Sequence, residues 1–179
     1  MLREILTSVR AIVVLLLVTC VAYPLLITAI GQLAFPAQAG GSLVRQDERL
    51  VGSALLAQKF TDPRYFWPRP SAVEYGTVAS GASNQGYLSQ KLLDAINSRR
   101  AALGPGAPAD LLTASASGLD PHISEAAARF EIPRVAAARQ VDPARLEALV
   151  AQTTERRQLG FLGEPRVNVL LLNRALDRL

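Results

Sequence analysis

The stretch that decides the fold is Ala11–Ile30, AIVVLLLVTCVAYPLLITAI, which contains no charged residue. The next charge after Arg10 is Arg45. Twenty residues at a 1.5 Å rise form a helix of roughly 30 Å, which matches the hydrocarbon core of a bilayer. Pro24 is tolerated in such a helix because neighbouring groups re-satisfy the freed carbonyl. The pattern predicts a transmembrane helix over residues 11–33.

A cleaved signal peptide is the alternative. Ala37-Gln38-Ala39 before Gly40 has the small-x-small pattern of a cleavage site, and Arg3 and Arg10 precede the apolar run. Signal peptides carry roughly 7–15 apolar residues, however, and this run is about 20 residues long. A retained anchor is therefore favoured.

The charge asymmetry around the span predicts its orientation. Arg3 and Arg10 lie before the span, and no positive residue follows until Arg45. Positive flanking residues remain in the cytoplasm. We expect a cytoplasmic segment over 1–10, a linker over 34–41 and an extracytoplasmic domain over 42–179.

Composition excludes several classes of protein. Of 19 basic residues only Lys59 and Lys91 are lysines, and the basic residues are scattered among acidic ones for a net charge of +4. A nucleic-acid-binding protein would show a clustered basic stripe. Cys20 is the only cysteine and lies within the apolar run, which excludes a disulfide framework or a cysteine-based metal site within one chain.

The remaining sequence predicts a small α+β domain, with aliphatic residues such as Leu88, Leu92, Ile96, Leu146 and Leu149 in its core. The first half of the domain is expected to form a hairpin over 42–51, a short helix over 53–60 with Leu55 and Leu56 inward, and an ordered irregular loop over 61–83 packed by its own aromatic residues. A helix over 85–103 capped by Asn84 and a strand over 111–115 follow. The second half is expected to form a helix capped by Ser124 that Pro133 interrupts or restarts, a helix starting at Asp142-Pro143, and a strand over 167–172 with a last helical turn from Asn173.

Motifs for ATP chemistry are missing from the sequence. There is no G-x-x-x-x-G-K-[ST] phosphate loop, and neither Lys59 nor Lys91 follows a glycine loop. The Asp-Lys-Thr-Gly run of P-type pumps is also missing. Any ATP hydrolysis linked to this chain is expected on a partner.

His122 is the only histidine, and it lies near Asp120 and the serines of SASGLDPHIS. A serine hydrolase can be drawn from these residues. The favoured interpretation is a turn at Asp120-Pro121 in which His122 bonds backbone before a helix start, because no G-x-S-x-G elbow presents a nucleophile. One histidine is also too few for a metal site.

The loop SGASNQGYLSQ leads into a predicted helix and can present backbone N–H groups to a phosphate. Its candidate ligand-binding residues are Ser80, Gly81, Ser83, Asn84 and Gln90. The simpler interpretation, a capped loop, is favoured because no lysine or Mg²⁺ ligand lies nearby.

The chain closely resembles the C subunit of the bacterial Kdp-type potassium-transporting ATPase. The matching blocks are YPLL at Tyr23–Leu26, Gln32, FPAQA at Phe35–Ala39, GSL at Gly41–Leu43, Gly52-Ser53, RPSA at Arg69–Ala72, SGASN at Ser80–Asn84, TASASGLDPHIS at Thr113–Ser124, RVAAAR at Arg134–Arg139 and LGFLGEPRVNVLLLN at Leu159–Asn173.

Departures from the family pattern fall in two loops. This chain has Gly81-Ala82 where the family has paired glycines, and Ala116 where the family has a glycine between two serines. Gln85 and Tyr87 replace the usual leucine and proline. Each lost glycine removes a position free to adopt a positive φ, which weakens a glycine-dependent ligand cradle.

The resemblance implies a non-catalytic subunit that binds no cofactor alone. Its implied partners are a channel-like potassium-translocating subunit, a P-type ATP-hydrolysing subunit and a very small membrane peptide, in the bacterial cytoplasmic (inner) membrane. The family is described as a catalytic chaperone that raises the affinity of the hydrolysing subunit for ATP. A domain outside the membrane cannot touch cytoplasmic nucleotide, so the predicted orientation requires that effect to be indirect.

The resemblance also implies structural or partner-contacting roles for a set of motif residues. They are Tyr23, Pro24, Gln32, Phe35, Pro36, Arg69, Pro70, Ser71, Gly118, Asp120, Pro121, His122, Gly163, Glu164, Arg166 and Asn168. Two other function classes stay open beside the accessory transport subunit: a membrane-anchored or secreted hydrolase that depends on His122, and a free-standing ligand-binding module with a concave apolar pocket.

Overall fold

The computed structural model describes residues 1–46 and 48–179 as two compact units, Met1–Ser53 and Ala54–Leu179. The first unit holds the apolar helix and a hairpin, and the second holds helices around a small sheet. The predicted class, one N-terminal membrane-spanning helix and a small α+β domain, is confirmed.

The anchor helix spans Leu2–Ala34 and is long and apolar enough to cross a membrane. It consists of α1 (Leu2–Leu16), a π-helical segment (Leu17–Ala22) and α2 (Tyr23–Ala34). The helix starts nine residues before the predicted span, because Leu2, Ile5 and Leu6 continue the helical pattern and the N-terminal amine pairs with Glu4. Its N-terminal extension carries both flanking arginines.

The π-helical segment lies directly before Pro24, where the proline removes one backbone donor and crowds the preceding turn. A wider turn at this point lets the helix continue through Pro24. The Thr19 hydroxyl also donates a hydrogen bond to the Leu15 carbonyl at 2.7 Å, as side chains do within a bilayer.

A short helix, α3 (Pro36–Ala39), and a hairpin follow the anchor within the first unit. Strands β1 (Leu43–Gln46) and β2 (Arg49–Ser53) pair antiparallel, with a register shift between Val44 and Arg45. The predicted hairpin is confirmed over these strands, and Asp47 lies outside the described residues.

The second unit is built from five further helices and three short strands. In chain order they are α4 (Gln90–Leu103), α5 (Ala109–Leu112), β3 (His122–Ser124), α6 (Glu125–Arg139), α7 (Pro143–Thr153), β4 (Thr154–Glu155), β5 (Arg166–Asn168) and α8 (Val169–Leu176). The strands form an antiparallel sheet in the order β3-β5-β4, in which Ile123 lies opposite Val167. Helices α6, α7 and α8 supply most of the buried core around it.

Two predicted helix starts are confirmed in the second unit. The Ser124 hydroxyl accepts the Ala127 N–H at 3.0 Å and caps α6, and Asp142 accepts the Ala144 N–H at 2.9 Å and caps α7. Pro133 was predicted to interrupt its helix, and that prediction is wrong. Helix α6 runs unbroken through Pro133 because Ile132, Val135 and Ala136 bury its flanks in the core, and this packing outweighs the lost hydrogen bond.

The short helix predicted over 53–60 is also wrong, and Leu55 and Leu56 are exposed rather than inward. The backbone here bonds to distant groups instead of forming a helix. The Ala57 N–H donates to the Leu119 carbonyl at 2.9 Å, and the Ala54 carbonyl accepts the Asn168 amide at 2.7 Å.

The helix predicted from Gln85 begins only at Gln90, and its predicted core residue Leu88 is 89% exposed. Asn84 has a φ of +53° and caps nothing; the N-cap residue is Ser89. The residues between Asn84 and Ser89 are exposed and pack against no core. Without such packing, the apolar spacing in the sequence is not enough to hold them in a helix.

One predicted strand is wrong, and another is confirmed only over its first two residues. Residues 109–112 form one helical turn that buries Leu111 and Leu112, where a strand was predicted from Leu111. The apolar run predicted as a strand over 167–172 ends its strand at Asn168, whose side chain accepts the Leu171 N–H at 3.2 Å and starts α8. A short continuous apolar run does not distinguish a buried strand from a buried helix.

The segment over 61–83 is ordered without helix or strand, as predicted. It is held mainly by α6 and α8 rather than by its own aromatic residues. Phe66 is fully buried, and its N–H and carbonyl both pair with the Asn173 side chain, at 2.8 and 3.0 Å. This one amide gives the loop the two hydrogen bonds that a neighbouring strand would otherwise supply.

A buried carboxylate makes the next attachment of this loop. The Trp67 N–H donates to Glu131 at 2.8 Å, and the Arg134 guanidinium pairs with Glu131 and lies 3.8 Å over the Trp67 ring. Burial raises the pKa of Glu131, against the opposing effects of Arg134 and the Trp67 N–H.

Substituting Asn173 by alanine leaves the N–H and carbonyl of Phe66 unpaired inside the core. Since each such group costs about 1–3 kcal/mol, we expect Asn173→Ala to lower the free energy of unfolding by about 2–4 kcal/mol. Denaturant unfolding of the detergent-solubilised chain, followed by fluorescence of the single tryptophan Trp67, measures this. The exposed Asn97→Ala on α4 is the matched control, expected within about 0.5 kcal/mol of wild type. Equal stability of the two variants would contradict the assignment.

Candidate functional site

The motif block RPSA forms a tight turn that the Ser71 hydroxyl organises. Its oxygen accepts the N–H groups of Val73 and Tyr75 at 3.2 and 3.0 Å. Glu74 and Tyr75 both have a positive φ, which is uncommon outside glycine and asparagine. The Tyr75 hydroxyl donates to the Arg69 carbonyl at 3.0 Å and closes the turn, and burial raises the pKa of Tyr75 to about 12.

The second block, TASASGLDPHIS, packs against this turn through backbone hydrogen bonds. The Ser115 N–H donates to the Pro70 carbonyl at 2.9 Å. The Ser117 carbonyl accepts both the Gly81 N–H and the Ser80 hydroxyl at 2.9 Å. The two motif blocks are therefore one structural element, which we call the paired loops (residues 69–83 and 113–124).

The paired loops approach each other closely at Gly118. It has a φ of +67°, and a Cβ atom there would lie 2.5 Å from Val73 Cγ2 and 3.0 Å from the Gly81 carbonyl oxygen. Both the conformation and the space require glycine. By contrast, Ala82 and Ala116, where the family pattern has glycine, do not adopt a positive φ, so these departures impose no backbone strain.

Asp120 joins the paired loops to the start of the sheet. It accepts the His122 N–H at 3.0 Å, lies 3.6 Å from His122 Nδ1, and accepts Arg69 Nη1 at 3.2 Å. Burial acts to raise the pKa of Asp120, but the contacts with His122 and Arg69 outweigh it and leave this pKa below its usual value. Asp120 thus favours the charged form that binds Arg69, and this stabilisation is lost only as the pH falls through the lowered pKa.

These residues line one side of a cleft of about 370 Å³, the charged cleft. The structure brings Arg69, Asp120 and His122 together here with Glu164 and Arg166, which are 44 residues or so further along the chain. Asp110 completes the cleft, accepting the Ser124 N–H at 2.8 Å. Sequence reasoning missed Asp110, which lies in no quoted motif block and carries no local signal.

The carboxylates of the charged cleft already have partners. Glu164 pairs with Arg157 at 2.6 Å, Asp120 with Arg69, and Asp110 with a backbone N–H. Within residues 1–46 and 48–179, no three His, Cys, Asp or Glu side chains converge as metal ligands would. The arrangement suits a rigid, polar contact surface.

The serines near His122 are also engaged within their own loops. Ser124 caps α6, Ser115 and Ser117 share a hydrogen bond at 3.1 Å, and Ser117 accepts the Leu119 N–H. His122 is the first residue of β3, and its N–H donates to the Asp120 carboxylate, whereas the prediction had His122 bonding to backbone in a turn. None of these contacts presents a serine to the imidazole.

The five candidate ligand residues of the 80–90 loop do not form a cradle around one point. Ser80 and the Gly81 N–H bond to Ser117, while Gln90 donates to Asp94 at 2.9 Å within α4. Ser83 and Asn84 are exposed, six residues or more before the helix start. The N-cap residue of α4 is Ser89, whose hydroxyl donates to Gln85 Oε1 at 2.6 Å and makes no capping hydrogen bond to the helix.

The remaining motif residues fall in three places. Tyr23, Pro24 and Gln32 lie on the anchor helix, and Phe35 and Pro36 form its end. Gly163 lies in the loop between β4 and β5 with a φ of +78°, and Asn168 caps α8.

The close approach at Gly118 can be tested by comparison with a second glycine that also has a positive φ but has open space around its Cβ position. Gly118→Ala adds a clash to a left-handed residue, and we expect it to lower the free energy of unfolding by about 3 kcal/mol. Gly163→Ala is the matched control, because nothing lies within 4 Å of its Cβ position, and it should lose only about 1 kcal/mol. Trp67 fluorescence during denaturant unfolding measures both. A loss no larger at Gly118 than at Gly163 would refute the packing argument.

Comparison with known proteins gives one consistent family. The model of the KdpC family, described as K⁺-transporting ATPase, c chain, matches residues 5–178. The potassium-transporting ATPase KdpC subunit of Sorangium cellulosum is 56% identical over 96% of this chain and 98% of its own length. That of Methylococcus capsulatus is 55% identical over 91% of both chains, and that of Rhodospirillum rubrum is 51% identical over 99% of this chain and 96% of its own.

The match extends through the anchor helix, the paired loops and the charged cleft, so it covers both units of the structure. The chain belongs to the KdpC family of potassium-transporting ATPase subunits.

Proposed function

We propose that this chain is a non-catalytic accessory subunit of an ATP-driven potassium uptake complex. It would assemble with a channel-like potassium-translocating subunit, a P-type ATP-hydrolysing subunit and a small membrane peptide. The observation that carries the proposal is the family match over residues 5–178. The sequence adds support, since it has neither a phosphate-binding loop nor the phosphorylated Asp-Lys-Thr-Gly motif.

The domain after the anchor lies on the outer side of the cytoplasmic membrane in this proposal. Arg3 and Arg10 lie in the N-terminal part of the anchor helix, before its uncharged run, and the next positive residue is Arg45. The positive-inside rule then keeps the N-terminus in the cytoplasm. A domain outside cannot touch nucleotide inside, so any effect on ATP affinity passes through the partner subunits.

The paired loops and the charged cleft support a contact role over a nucleotide-binding role. The Gly81 N–H and the Ser80 hydroxyl, which a phosphate would need, are already bonded to Ser117. Salt bridges at the rim, such as Arg166–Glu155 and Arg157–Glu164, are exposed and can exchange partners at little cost. Such a surface suits reversible docking onto another subunit, where charge complementarity sets the orientation.

Orientation is tested by a protease tag placed after Leu179. In intact spheroplasts, we expect added protease to remove the tag, because the domain faces outward. A cytoplasmic tag on the N-terminus is the matched control and should stay protected until the membrane is lysed. Protection of the C-terminal tag in intact spheroplasts would reverse the proposed orientation and make direct ATP contact possible.

The role of the anchor is tested by removing it. The main hydrophobic cluster lies within Ala54–Leu179, so a fragment from Gly40 is expected to fold. It should nevertheless fail to restore growth at limiting potassium in cells that lack the subunit, because a tether raises the local concentration to roughly the millimolar range and the anchor also packs beside partner helices.

The control replaces residues 11–33 by an unrelated membrane span at equal expression. Partial rescue is expected, since tethering returns without the native helix contacts. Full rescue by the untethered fragment would show that the anchor is dispensable.

A further inference from the structure

The loop between β4 and β5 presents three large apolar side chains to solvent. Leu159 is 83% exposed, Phe161 68% and Leu162 48%. The loop is not frayed: Gln158 and Leu162 exchange two backbone hydrogen bonds at 2.9 Å and close it into a tight turn. We call residues 158–163 the apolar tip.

Leu159 occupies a conformation that leucine normally avoids. Its φ is +53°, in the left-handed region where glycine or asparagine is favoured and a bulky residue is an outlier. Such strain persists where a side chain is needed for another reason. Since the Leu159 side chain is almost wholly exposed, it adds nothing to the core of this domain. Its apolar surface is therefore free to contact a group outside the chain.

Beside the apolar tip is an open cleft of about 610 Å³ that contains three guanidinium groups. We call it the arginine cleft. It is lined by Arg129, Arg156 and Arg157, with Gly160 of the tip at its edge. The charge around it is only partly compensated, as Arg129 pairs with Glu125 and Arg157 with Glu164.

Arg156 is exposed and makes no ion pair with any residue over 1–46 and 48–179. The two existing pairs are also on the surface, where an ion pair contributes at most about 1 kcal/mol. An incoming phosphate can therefore recruit Arg156 directly and its neighbours by exchange. Guanidinium groups bind phosphate oxygens through two parallel hydrogen bonds, so the arginine cleft matches that group in charge and geometry.

We propose that the apolar tip and the arginine cleft together form a site for anionic phospholipid at the membrane surface. Leu159, Phe161 and Leu162 enter the boundary between headgroups and acyl chains, and Arg156 holds the headgroup phosphate. Apolar side chains next to cationic ones are the combination that binds such surfaces, through apolar burial plus attraction to anionic lipid.

A lipid surface is favoured over other occupants because this chain carries its own anchor helix. The bilayer is thus always present at the high local concentration that a tether provides, so a small site of three side chains suffices. Beyond the tip and the cleft themselves, the proposal needs only that the chain is anchored in a membrane. It does not depend on which side of the membrane the domain faces or on the partner subunits.

The experiment uses the full chain reconstituted into vesicles, with Phe161→Trp as a reporter in the tip. The difference between its fluorescence and that of wild type isolates the new indole from Trp67. In vesicles with about one third phosphatidylglycerol, we expect lipids spin-labelled near the headgroup to quench the new indole. The quenching should weaken in pure phosphatidylcholine and in about 0.5 M NaCl, where charges are screened within a few ångströms.

Two matched variants separate the parts of the proposal. Tyr87→Trp places an indole at a residue that is 87% exposed in another loop, and it should be quenched much less. Arg156→Gln in the Phe161→Trp chain should reduce the ratio of inserted to free tip about fivefold, the effect of one arginine near an anionic surface.

Three results would each overturn the proposal. Lack of quenching at the tip in anionic vesicles would assign the tip to a protein partner. Equal quenching at positions 87 and 161 would show unspecific contact of the domain with lipid. Quenching that ignores both headgroup charge and Arg156→Gln, or that free inorganic phosphate at millimolar concentration abolishes, would separate the arginine cleft from lipid.

Discussion

The second unit depends on the two hydrogen bonds between the Asn173 side chain and the backbone of Phe66. They place an irregular loop, with no strand to pair with, into the core beside α8, where Phe66 is fully buried. Fixing Phe66 brings Trp67 within reach of the buried Glu131 and of Arg134. Because a buried backbone group without a partner costs as much as a lost hydrogen bond, one amide decides whether this loop is ordered.

Fixing Phe66 and Trp67 also fixes the position of the paired loops, the first of which continues directly from them. The Ser71 turn, the contact of Pro70 with Ser115 and the close approach at Gly118 all require residues 69–83 to hold a fixed position. The charged cleft then forms where the second loop enters β3, through Arg69 and Asp120. The three carboxylates of this surface have partners within the domain, which favours a contact surface for another protein over an open ligand pocket.

The anchor helix and the domain of this chain contribute different properties. The anchor helix supplies location through an uncharged length that matches a bilayer. The domain supplies shape and charge, and its loops meet the sheet and helix ends at two surfaces. These are the charged cleft, which includes residues of β3 and β5, and the apolar tip with the arginine cleft.

The sequence by itself determined the anchor, the helix starts at Ser124 and Asp142, the hairpin and the family, because these rest on local signals: an uncharged run, a capping side chain, paired apolar strands and long specific blocks. Only the tertiary structure decided the ends of the strands and helices around residues 53–60, 85–90, 109–115 and 167–172. At residues 53–60, for example, the Ala57 N–H bonds to the distant Leu119 carbonyl, and burial in the core likewise carries helix α6 through Pro133. The clefts were equally hidden, since Asp110, Asp120 and Glu164 meet only once the chain has folded, and no local pattern records a contact across 50 residues.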